Sequence, residues 1–101
     1  MRVHLPDRAA ALGDAWRSER LARVAGANIK VLRMTEAGFA EEVHDYDEAI
    51  LVVEGCLLLG LGDDEVVELE AGDFFVIPAG LRHRGVARSG GSHGTLMIFD
   101  P

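Results

Sequence analysis

Residues 41–48, EEVHDYDE, place two glutamates, a histidine and an Asp-Tyr-Asp-Glu run directly before the apolar stretch AILVV. Imidazoles and carboxylates bind divalent cations and also carry protons in acid–base chemistry. An acidic run is equally the usual composition of a solvated turn. Alone, this stretch supports two readings: a hydrated rim, or the first half of a metal site. A second histidine closes GDFFVIPAGLRH, residues 72–83, spaced Gly72, five residues, Pro78, one residue, Gly80, two residues, His83. Gly72 permits a tight turn into a strand, Pro78 stops that strand, and Gly80 allows positive φ in the turn after it. His83 then opens the next strand.

The elements that must position these residues are short. ERLARV and NIKVLRM read as strands with a Gly26-Ala27-Asn28 turn between them, the second setting Ile29, Val31 and Arg33 against Lys30, Leu32 and Met34. AILVVEG, LLLGLG, EVVELE, DFFVIP, HRGVA and TLMIFD follow, broken by Gly62-Asp63-Asp64, Ala71-Gly72-Asp73, Pro78-Ala79-Gly80 and Ser89-Gly90-Gly91-Ser92. With no helical run beyond residue 20, this predicts an all-β sandwich or barrel. Residues 7–16 form a short helix or extended arm with Trp16 as a docking anchor.

The 101 residues suit one domain, with 1–16 as the arm or short helix and 17–101 as the barrel. AILVV and DFFVI are apolar at nearly every position, so both of their faces should be covered, one of them by a partner sheet or subunit. A homodimer is expected. The formal charge is −7, and Lys30 is the only lysine, which excludes a basic nucleic-acid surface. Cys56 stands alone, so no internal disulfide forms, and its apolar neighbours predict burial. His4, Pro6, Asp7 and Arg8 interrupt the N-terminus, which lacks a signal-peptide core, and no apolar segment is long enough for a bilayer. A cytoplasmic protein without membrane contact is expected.

The G-x5-P-x-G-x2-H pattern resembles the second motif of the cupins, the small jelly-roll β-barrels of two antiparallel sheets; Ala87 stands where the family often has Asn. The first cupin motif, G-x5-H-x-H-x3–4-E-x6-G, is matched by His44, Glu48 and Gly55, with Glu42 in place of the first histidine and Glu36 in place of the glycine. A rival register fits Gly38-x5-His44 and puts Tyr46 in the second histidine position, but leaves only one residue before Glu48. The resemblance runs from about residue 16 to the C-terminus.

It implies a divalent metal inside the barrel, held by His44, Glu48 and His83 with Glu42 as a fourth ligand, or else a site that has lost its metal. Two imidazoles with a carboxylate are the facial set of non-haem iron sites. With no thiolate, the ion would be Fe, Mn, Ni, Co or Zn. The implied function is dioxygenase-like or isomerase-like action on a small polar molecule, with Tyr46 shaping the substrate pocket. The alternative is a metal-free ligand-binding or sensor module. Glu41, Asp45 and Asp47 read as solvated rim, His4 and His93 as exposed, and Arg82 and Arg84 as surface or interface charges.

Overall fold

A computed structural model describes residues 1–101. One six-residue helix, α1 (Leu5–Ala10), is followed by eight strands: β1 (Glu19–Val24), β2 (Ala27–Met34), β3 (Phe39–Glu42), β4 (Glu48–Leu61), β5 (Glu65–Glu70), β6 (Phe74–Ile77), β7 (His83–Gly85) and β8 (His93–Asp100). Pro6 sits in the first turn of α1, where its missing N–H costs nothing. The helix therefore starts earlier than the expected segment 7–16, and the chain leaves it well before Trp16.

All ladders are antiparallel, in the order β1-β2-β8-β4-β7-β3, with β5 and β6 also paired to β4. β4 is the central strand of this one curled sheet. Its first half pairs with β6 and β8, its second half with β5 and β7. AILVVEG and LLLGLG are thus one 14-residue strand rather than two. The register against β8 shifts between Val52 and Glu54, and Gly55 turns through φ +84°. A one-residue bulge exchanges the two faces of a strand. Ile50 and Val52 before it, and Leu57, Leu59 and Leu61 after it, accordingly belong to one buried core.

β3 was not expected from sequence, because FAEE has no apolar run. DFFVI is also less covered than its composition suggests: Ile77 is buried, but Phe74 is 60% and Val76 50% exposed. α1 lies against β2, β8 and β4, and buries Ala9. Cys56 is half-buried, with its Sγ 3.4 Å from the Gly91 carbonyl oxygen. No helix is long and apolar enough to cross a membrane.

Candidate metal centre

Glu42 ends β3 directly opposite His83, which begins β7, and His83 in turn stands opposite Leu61 of β4. His44 lies in the connector after β3, and Glu48 opens β4. Two hydrogen bonds tie that connector to the Pro78-Ala79-Gly80 turn. Gly80 N–H donates to the His44 carbonyl at 2.8 Å, and Ala79 N–H donates to Asp47 Oδ1 at 2.9 Å. Gly80 takes the positive φ its position predicted, +83°. The turn that sets His83 thereby also sets His44.

Four side chains converge. His44 Nε2 lies 3.2 Å from Glu48 Oε2 and 3.5 Å from Glu42 Oε2. His83 Nε2 lies 3.7 Å from Glu42 Oε2 and 4.0 Å from Glu48 Oε2. One donor atom each from Glu42, His44 and His83 falls within 4.8 Å of the others. His83 and Glu48 are buried, whereas Glu42 is exposed. Tyr46 stacks on His44 with centroids 4.9 Å apart and planes 9° from parallel.

The donor set fits a divalent cation. His83 Nδ1 is 3.0 Å from the Leu81 carbonyl oxygen, which can only accept, so that nitrogen carries the proton. Its Nε2, a buried atom without a hydrogen-bond partner, faces two carboxylates. Nitrogen and oxygen donors gathered around one point are a set that can hold a divalent cation. Backbone anchoring of the far ring nitrogen is also how metal-binding imidazoles are oriented.

The surrounding field is negative. Burial pushes the Glu48 carboxyl above the usual carboxylate range, against the opposing pull of His44 and His83, and Glu42 and Asp100 add to the rise. Burial likewise raises the Tyr46 phenol, with Asp100 and Glu48 contributing. These residues line a cavity of about 250 Å³ inside the barrel, together with Trp16, Phe39, Lys30 and Asp100. That is below the roughly 300–1,000 Å³ of pockets for drug-sized ligands, so its occupant is small.

Lys30 and Asp100 are ion-paired at 2.6 Å in the cavity wall and were not singled out from sequence. The signal was present: Lys30 alternates in phase with Leu32, and Asp100 in phase with Leu96 and Ile98, all barrel-facing. Phe74, Phe75 and Phe99 are not in that lining; Phe39 and Trp16 are. Glu41, Asp45 and Asp47 are exposed. Arg82 pairs with Asp63 and Glu41 at the surface, and Arg84 donates to the Gly62 carbonyl at 3.0 Å.

The sequence model of the Cupin_2 family, a cupin domain, matches residues 31–99. Comparison with curated proteins finds no match. Among solved structures, a cupin-2 domain protein from Shewanella frigidimarina is similar over 94% of this chain and 89% of its own, at 28% identity and a TM-score of 0.81. A Neisseria meningitidis protein matches 99% of this chain and 98% of its own, at 19% identity and a TM-score of 0.80. Hydroquinone 1,2-dioxygenase from Sphingomonas sp. TTNP3, solved with 4-hydroxybenzoate, matches 91% of this chain but only 29% of its own, at 18% identity and a TM-score of 0.77. With a family match over most of its length and a curled antiparallel sheet of jelly-roll type, the chain belongs to the cupin domain family.

Proposed function

We propose that the protein is a metal-dependent cupin. In this reading His44, His83, Glu48 and Glu42 hold one divalent transition ion, and a small oxygen-bearing molecule reacts in the barrel beside it. The observation that carries the proposal is the buried, partnerless Nε2 of His83, its tautomer fixed by Leu81, facing two carboxylates. Two carboxylates balance the charge of a divalent ion, and two imidazoles with carboxylate suit Fe(II) among the ions open to this set.

Fe(II) would supply oxidative chemistry with dioxygen, and a redox-inert ion would polarise a substrate oxygen. The chain's own residues do the rest. Leu32, Ile50 and Leu96 keep the reacting space dry, Tyr46 holds the His44 ring by stacking, and Glu42 is exposed where the substrate enters. We also infer a homodimer, formed through the outer sheet face that carries Phe74 and Val76.

The two imidazoles with a carboxylate make oxidation the first reaction to test, ahead of isomerisation. The test is anaerobic loading with Fe(II), followed by dioxygen uptake against small phenolic and hydroxy acids. Uptake that needs Fe(II) and disappears in His83→Ala supports the proposal. A loaded protein that consumes no dioxygen with any of them turns the assignment to isomerisation or to ligand binding.

A further inference from the structure

Asp47 is exposed and, by composition, belongs with Glu41 and Asp45 to a hydrated acidic rim. Its carboxylate nevertheless has a fixed partner 32 residues along the chain. Ala79 N–H donates to Asp47 Oδ1 at 2.9 Å, and the next amide, Gly80 N–H, donates to the His44 carbonyl at 2.8 Å. Two successive donors of one turn are thus taken by two points of one connector.

These bonds join the two halves of the metal centre. The connector carries His44 and runs from Asp47 directly into Glu48, the first residue of β4. The turn is closed by Leu81 N–H, which donates to the Pro78 carbonyl at 3.2 Å, and its Leu81 carbonyl lies 3.0 Å from His83 Nδ1. His83 is also seated by the ladders of β7 with β3 and β4. The connector has no such support. Residues 43–47 belong to no strand, and apart from contacts among the ligand side chains these two bonds are the only hydrogen bonds they make.

We propose that Asp47 is a positioning residue of the metal centre. Its bond to Ala79 latches the connector to the turn, so that His44 and Glu48 are held at His83. The proposal rests on the reading of these side chains as metal ligands. Groups that orient metal ligands commonly contribute roughly 10- to 100-fold to metal affinity. Asp45 separates the bond from the charge: it follows His44 and is also exposed, but takes no part in the latch.

Zn(II) is the probe, titrated into chelator-treated protein, with His83→Ala as the background for ions held elsewhere. Asp47→Ala removes the bond and the charge, and is expected to raise the Zn(II) Kd about 10-fold or more. Asp47→Asn removes the charge but keeps an acceptor oxygen, and Asp45→Ala removes a charge alone. Both should stay within about 3-fold of wild type, because an exposed charge acts weakly through water.

The wild type gives a second readout, independent of how any variant folds. Coupling between two binding events is reciprocal. A latch that strengthens Zn(II) binding about 10-fold requires Zn(II) to slow hydrogen exchange of the Ala79 amide by about the same factor. Glu70 N–H is the control. It donates to Asp73 Oδ2 at 2.8 Å in an exposed turn outside the cavity lining, and should exchange at one rate with and without Zn(II).

Wild type that binds Zn(II), with Asp47→Ala binding it equally well, overturns the latch and leaves the metal reading standing. Equal weakening by Asp45→Ala or Asp47→Asn assigns the effect to charge and also overturns the latch, as does an Ala79 amide that Zn(II) does not slow. Wild type that takes up no more Zn(II) than His83→Ala refutes the metal reading and, with it, any role of Asp47 in that centre.

Discussion

His83 shows how one residue's surroundings decide its chemistry. It is 2% exposed, its Nδ1 proton is committed to Leu81, and its other nitrogen faces carboxylates. Asp100 is the opposite case, an ionised group stabilised by its partners. Burial pushes its carboxyl up, but hydrogen bonds from Lys30 and Asn28 outweigh that and hold it below the usual carboxylate range. Near it stand Lys30, His44, Tyr46 and Glu48. A depressed folded-state value means that the unfolded chain binds the proton more readily. The stabilisation is therefore complete above the ordinary carboxylate value of about 3.9 and is lost as pH falls through the lower folded value. Asp100→Asn should cost about 2 kcal/mol at neutral pH, the range of a charge-assisted hydrogen bond. Urea unfolding of chelator-treated protein should show that difference shrinking below about pH 4, whereas a constant difference down to pH 3 would assign the loss to packing.

At the scale of elements, turns position the site more than strands do. Gly55 and Gly80 both have positive φ, but for different consequences. A Cβ on Gly55 would overlap the His93 carbonyl across the β4–β8 ladder, whereas a Cβ on Gly80 meets open space. Gly80→Ala should therefore cost only backbone strain, about 1–2 kcal/mol. Gly55→Ala should cost well beyond that, because the ladder itself must shift. Thermal unfolding of the two variants checks the order, and equal losses would contradict it.

The same elements show what the sequence made legible. The Gly72–His83 string and the His44–Glu48–Gly55 spacing identified the barrel and its candidate ligands, because turn glycines and prolines mark positions directly. β3 escaped notice because its strand character comes from pairing with β7 and not from an apolar run. The bulge after Val52 made one strand look like two, since it exchanges the phase of the apolar positions. Lys30, Asp100 and Trp16 were missed as cavity walls for another reason: partners such as Asp100 for Lys30 lie 70 residues away in the chain.

Across the whole molecule, apolar side chains pack the barrel around its cavity, while Phe74 and Val76 stand exposed on the outer face. The proposed homodimer would cover these two side chains. Sedimentation at micromolar concentration should find a dimer, and Phe74→Arg should give a monomer with an unchanged circular dichroism spectrum. A wild-type monomer would refute the homodimer.

The centre of the barrel is where function is assigned, and metal content tests that assignment most directly. Protein prepared without chelator or affinity-tag metal should contain one divalent ion per chain by elemental analysis, and His83→Ala should contain almost none. Wild-type protein that carries only traces, and takes up nothing when Fe, Mn, Co, Ni or Zn is supplied, would show that the four side chains do not form a metal site.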